Sequence, residues 1–133
     1  MSQNVILNRE LTTPSGHVIA QLTLNSEKTL NSLSLPMVEL LQQHLDAFIS
    51  RDEVVLVVLD GAGEKAFCAG GDIKRLRSDA LEGDHGREFF AKEYTLDYTI
   101  HNYPKPIVVW GAGIVMGGGL GLLGGASHRV LTE

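Results

Sequence analysis

The chain has 133 residues, with eleven Lys plus Arg against sixteen Asp plus Glu and a formal net charge of −5. That length makes one modest domain, and the acidic balance excludes a general nucleic-acid binder, which needs a basic face to neutralise phosphates. The composition, 44% hydrophobic and 20% charged, supplies a core, and the single cysteine excludes an intrachain disulfide framework and a Cys-based structural zinc site.

The first ten residues, MSQNVILNRE, carry neither a basic flank with a long apolar run nor an Arg-rich pattern. The expectation is therefore a cytoplasmic protein without a secretory or mitochondrial leader. Val5–Leu7 is a short apolar run that ends in the polar step Asn8-Arg9-Glu10, and Thr12–Gly16 is a turn cluster around Pro14 and Gly16. Val18, Ala20, Leu22 and Leu24 alternate with Ile19, Gln21 and Thr23, the period of a strand buried on the Val18 face. A polar loop over residues 25–32 leads to Ser34, a good N-cap, with Pro36 early in the next helix where its missing N–H costs little. Met37, Leu40, Leu41, Leu45, Phe48 and Ile49 fall on one face of that helix. The continuous apolar run Val54–Leu59 reads as a central strand covered on both faces.

Two glycine-rich segments dominate the second half. The first, residues 61–74, leaves the buried strand and leads into a charged, helical stretch. A helix over 85–102 follows, with Phe89, Phe90, Leu96 and Ile100 as apolar anchors, stopped by Tyr103-Pro104-Lys105-Pro106. Ile107–Trp110 is another apolar strand, with Trp110 expected in the core, and the second glycine segment runs from Gly111 to Gly125. Residues 107–126 carry no charge and show GxxxG spacing, the pattern of a close-packed membrane helix. So many glycines lower both helix propensity and hydrophobicity, so no membrane partner is expected. Gly119–Gly124 matches GxGxxG, but the strand ends too early for a dinucleotide fingerprint. A packing reading stays open, in which the glycines only let a helix approach a sheet. The functional reading concerns backbone amides. A glycine triplet at a loop-to-helix junction leaves unpaired N–H groups in a field that favours negative charge, and the Ala69–Asp72 turn offers a second set. Amides from two such turns can converge on one carbonyl oxygen as an oxyanion hole.

The motifs Phe67-Cys68-Ala69-Gly70-Gly71-Asp72-Ile73-Lys74, Pro104-Lys105-Pro106-Ile107-Val108 and Gly113-Ile114-Val115-Met116-Gly117-Gly118-Gly119-Leu120-Gly121, in this order, resemble the enoyl-CoA hydratase/isomerase (crotonase) superfamily. Phe89–Tyr94, Met116–Gly121 and Ser127–Glu133 are most similar to its 3-hydroxyisobutyryl-CoA hydrolase branch, which acts in valine catabolism. The resemblance implies an α/β, crotonase-like fold of repeated ββα units, incomplete in this chain, with residues 1–133 as the N-terminal part of the domain. It implies an acyl-CoA thioester as the small-molecule partner, and no separate cofactor because CoA belongs to the substrate. Protein partners would be further copies in an oligomer or a complementing C-terminal segment. By motif position the oxyanion amides fall on Ala69 and Gly118, Glu93 lines the substrate pocket, and Ala69, Gly70, Gly71 and Asp72, with the Lys28–Asn31 loop, meet the CoA moiety. Where hydratases of the superfamily carry a catalytic glutamate this chain has Gly121, which has no acid or base, so the likeness favours the hydrolase branch. That branch's catalytic Glu and Asp are expected beyond Glu133. Alternatives are an enoyl-CoA hydratase or isomerase and a non-catalytic acyl-CoA binder.

Other candidates carry blander readings. Cys68 has no evident base and reads as a packing residue, and Asp72 reads as a helix cap rather than a general base. The five histidines are scattered without metal-ligand spacing, and Asp97 with His101 reads as a surface i,i+4 contact.

Overall fold

The computed structural model describes residues 4–70 and 85–132. Strands β1 (Ile6–Thr12) and β2 (Val18–Leu24) form an antiparallel hairpin in which Ile6 faces Leu24 and Thr12 faces Val18. β2 keeps the expected alternation, with Val18, Ala20, Leu22 and Leu24 buried. β1 runs through Asn8-Arg9-Glu10 rather than ending there. It is an edge strand with only Ile6 buried, and an edge tolerates polar side chains.

Helix α1 (Leu35–Ile49) starts where Ser34 Oγ accepts the Met37 N–H, with Pro36 in the first turn. It buries Met37, Val38, Leu41, Leu45 and Phe48, while Ile49, expected on that face, is 43% exposed. Its C-terminal end is held by Lys105, whose ammonium donates to the Phe48 and Arg51 carbonyls. Strand β3 (Val54–Gly61) pairs parallel with β2 and with β5 (Ile107–Gly111), which pairs parallel with β7 (His128–Leu131), giving the order β1-β2-β3-β5-β7. Such parallel neighbours need crossovers. α1 connects β2 to β3, α2 (His85–His101) precedes β5, and α3 (Gly118–Gly125) lies between β5 and β7. The helices pack in series, α1 on α2 and α2 on α3. Within α2, Phe89, Leu96 and Ile100 are buried as expected, but Phe90 is exposed. Trp110 is 48% exposed rather than core, because the period of β5 buries Ile107 and Val109 and turns Trp110 outward.

A second sheet, not evident in the sequence, positions everything that follows. β4 (Ala66–Cys68) pairs parallel with β6 (Ile114–Val115), Ala66 beside Ile114 and Cys68 beside Val115. The Met116 N–H extends the pairing to the Cys68 carbonyl at 3.1 Å. Each strand opens directly into one glycine turn, so their pairing sets the two turns side by side.

The loop between β2 and α1 is tied to the same place by Asn31, which is 1% exposed and left-handed at φ 55°. Its amide nitrogen donates to the Ala62 and Ala66 carbonyls, and its oxygen accepts the Ser26 N–H. Replacing Asn31 with Ala leaves three backbone groups unpaired and is expected to destabilise the full-length protein by about 2–4 kcal/mol. Urea unfolding should show a lower midpoint at an unchanged slope; an unchanged midpoint would refute this role.

Candidate active site

The two glycine turns lie side by side. A Cβ built on Gly70 would lie 3.4 Å from the Met116 carbonyl oxygen and 3.8 Å from the Gly117 Cα, and one built on Gly117 would lie 3.5 Å from the Gly70 Cα. Gly117 is the N-cap of α3 at φ 51°, in the left-handed region open to glycine. Behind it, the Gly119 N–H donates to the Met116 carbonyl at 2.8 Å and the Gly121 N–H to the Gly117 carbonyl at 3.2 Å. The Gly118 N–H has no acceptor among the described residues and stands at the positive end of the helix.

The Ala69 amide, unlike that of Gly118, has an acceptor in this structure. Its N–H donates to the Leu30 carbonyl at 3.0 Å, so this amide is engaged rather than free beside that of Gly118. The cause lies in the preceding loop, where consecutive left-handed residues, Leu30 and Asn31, aim the Leu30 carbonyl at the end of β4. The Leu33 N–H in turn donates to the Gly70 carbonyl at 2.6 Å. Within this turn it is the Gly70 N–H that lacks an acceptor among the described residues. Gly71, Asp72 and the helix expected near Ile73 lie outside the described residues.

Glu93 is carried by α2 to the first turn of α3. It is 8% exposed, and a Cβ on Gly118 would sit 2.5 Å from its Oε1 and 2.7 Å from Leu33 Cδ1. Only glycine therefore fits at 118 without moving that carboxyl. Burial raises the Glu93 pKa. One turn further along α2 is Asp97, a residue the sequence reading set on the surface with His101. Instead it turns inward, and a Cβ on Gly121 would lie 2.8 Å from its Oδ2. Its Oδ1 is buried without a hydrogen-bond partner, and burial together with the Glu93 charge pushes its pKa up to about 6. His101 is exposed. The signal that could have found Asp97 was its i,i+4 spacing from Glu93 together with the three-residue spacing of Gly118 and Gly121, which places each carboxyl opposite a glycine.

Burial pushes the Cys68 thiol up to about 11, so it is a neutral packing group and not a thiolate nucleophile. Among the described residues no cluster of three or more His, Cys, Asp or Glu could hold a metal, and no helix is long and apolar enough to cross a membrane. A cavity of about 530 Å³ opens where the Lys28–Asn31 loop meets residues 62–66, lined by Glu27, Lys28, Glu64 and Lys65 among others.

An ionised Asp97 is costly in this seam. Its pKa is raised by folding, so the penalty is absent below the unfolded value of 3.8 and grows as pH rises through about 6. Asp97→Asn is therefore expected to raise the thermal midpoint of the full-length protein at about pH 8 and to leave it unchanged at about pH 3. Equal midpoints at the higher pH would show that Asp97 is not desolvated there.

Residues 19–133 match the family model described as enoyl-CoA hydratase/isomerase. The chain is 42% identical over 113 residues to the mitochondrial 3-hydroxyisobutyryl-CoA hydrolase of Gallus gallus, covering 84% of this chain and 29% of that protein. It is 46% identical over 114 residues to the probable 3-hydroxyisobutyryl-CoA hydrolase 2 of Arabidopsis thaliana, covering 84% and 30%. The chain thus spans under a third of the length of these curated relatives. Among solved structures, an enoyl-CoA hydratase from Rhodobacter sphaeroides superposes with a TM-score of 0.87 at 38% identity, over 96% of this chain and 37% of that one. A carnitinyl-CoA dehydratase from Mycobacterium thermoresistibile does so with a TM-score of 0.87 at 38% identity, over 97% and 37%. With a mostly parallel sheet, two neighbouring glycine turns and a match over most of its length, this chain belongs to the enoyl-CoA hydratase/isomerase family.

Proposed function

We propose that this chain is the N-terminal part of an acyl-CoA thioester hydrolase whose substrate is 3-hydroxyisobutyryl-CoA. The observation that carries the reading is the Gly118 N–H at the start of α3, which has no acceptor among the described residues and is held beside the Ala69–Gly70 turn by the β4–β6 pairing. When a nucleophile attacks the thioester carbonyl, negative charge develops on its oxygen. An amide already pointing at that position, with the helix dipole behind it, stabilises the charge without reorganising. One such donor is worth about 3–4 kcal/mol of transition-state stabilisation. The second donor comes from the Ala69–Gly70 turn. The Ala69 N–H must exchange the Leu30 carbonyl for the substrate oxygen to serve, whereas the Gly70 N–H need not.

Gly121 supports hydrolysis over hydration. Addition of water to an enoyl-CoA by paired carboxylates needs an acid or base at this position. Here the position has no side chain, and the Asp97 carboxyl fills the space a Cβ would take. Glu93 borders the oxygen site from α2, and the carboxylates that direct attack are expected in sequence following the matched region. The Lys28–Asn31 loop, stitched to the Ala69–Gly70 turn, would hold the CoA moiety largely through main-chain groups.

Release of free CoA thiol from 3-hydroxyisobutyryl-CoA by the full-length protein tests the reading. Turnover is expected, and Gly118→Ala is expected to lower kcat by about 10²–10³, since its Cβ meets Glu93 and displaces the donor. Hydration of an enoyl-CoA without thiol release would identify a hydratase instead. Binding of acyl-CoA without either reaction would identify a binding protein.

A further inference from the structure

Neither carboxyl of the Glu93–Asp97 pair has a hydrogen-bond donor among the described residues. Glu93 is more than nine-tenths buried, and Asp97 Oδ1 is fully enclosed. The neighbouring lysine is committed elsewhere, since Lys92 bonds Glu39 at 2.9 Å and Glu88 at 3.2 Å. Facing the pair, α3 reads GGLGLLGG and offers no side-chain donor. Buried acceptors left in this state call for a donor from outside the described residues. The opposite glycines set the geometry. Gly118, whose amide has no acceptor among the described residues, and Gly121, against which Asp97 lies, are three residues apart on one helix, about 4.5 Å along its axis. That spacing is comparable with the reach from a thioester carbonyl oxygen to a hydroxyl on the carbon two bonds further along the acyl chain.

We infer that Asp97 is a specificity residue that accepts the hydroxyl of a short 3-hydroxyacyl thioester, at the far end of a seam whose near end holds the carbonyl at Gly118. This rests on the acyl-CoA reading above and adds the feature of the acyl group that is read and the residue that reads it. The ligand hydroxyl supplies the donor that Asp97 lacks among the described residues, and glycine at 121 leaves room for the carboxyl to lie against the helix. An acyl group without the hydroxyl would leave that carboxyl unpaired on binding, which is how a polar site rejects an isostere that lacks the polar group.

Calorimetric titration of the full-length protein with two non-hydrolysable thioethers separates the possibilities, one analogue built on 3-hydroxyisobutyryl-CoA and the other on isobutyryl-CoA. Wild type is expected to prefer the hydroxylated thioether by about 10- to 100-fold. Asp97→Ala should abolish the preference by weakening only the hydroxylated ligand, leaving affinity for the deoxy analogue as an internal measure of intact packing. Asp97→Asn, which keeps the shape but replaces a charge-assisted bond with a neutral one, should give an intermediate ratio. Equal affinities in wild type, or a preference unchanged in both variants, would overturn the role of Asp97 and leave the hydrolase reading standing. Failure of wild type to bind either thioether would overturn both.

Discussion

The constraint on which the site depends is the approach of one helix to another across a face without side chains. A Cβ at position 118 would press on Glu93, and a Cβ at 121 on Asp97. Because both positions are glycine, α2 lays two carboxyls directly against the backbone of α3. The first turn of α3 thereby meets the Glu93 carboxyl, which has no donor among the described residues, as well as the Leu33 side chain. A seam of this kind lowers stability, since buried acceptors without donors and like charges one turn apart both oppose folding. Offsetting that cost is the surrounding core, in which Leu33, Leu96, Ile100 and Leu122 are almost fully buried around the seam and the parallel sheet. Unmet polar demand gathered at one place in a fold is characteristic of functional sites.

Three long-range ties hold the site. The β4–β6 pairing brings together turns separated by a long stretch of chain. Asn31 binds the loop before α1 to residues 62–66, and the exchanges Ala69 to Leu30 and Leu33 to Gly70 fasten that loop to the first glycine turn. The loop that would embrace CoA and the turn that would meet the thioester therefore form one hydrogen-bonded unit. Its flexibility is limited by backbone groups that have partners, while the Gly118 amide has none among the described residues.

Much of the framework was legible in the sequence because it follows from local rules. The alternation in Val18–Leu24, the Ser34 cap with Pro36, and the apolar runs of β3 and β5 each specify an element through nearest neighbours along the chain. The glycine motifs also revealed the family, since backbone-only chemistry leaves a residue signature. What escaped was decided in three dimensions. The two-residue strand β6 has no periodicity of its own and exists only against β4. Trp110 and Phe90 are apolar residues on the outward side of elements whose inward side was correctly read. The engagement of Ala69 by Leu30 depends on a left-handed loop far back in the sequence, and the inward turn of Asp97 depends on a glycine on another helix. Local spacing offers Asp97 the histidine four residues on; tertiary packing gives it Gly121.

A crystal structure of the full-length protein with a non-hydrolysable 3-hydroxyisobutyryl-CoA thioether is not sufficient on its own, because that ligand lacks the charge that would develop in the proposed reaction. The direct measurement uses a CoA analogue carrying a tetrahedral oxyanion in place of the thioester carbonyl. The account predicts that oxygen within about 2.7–3.1 Å of the Gly118 nitrogen, with a second amide donor from the Ala69–Gly70 turn. An oxyanion bound elsewhere, or a Gly118 N–H still facing no ligand atom in the complex, would contradict it.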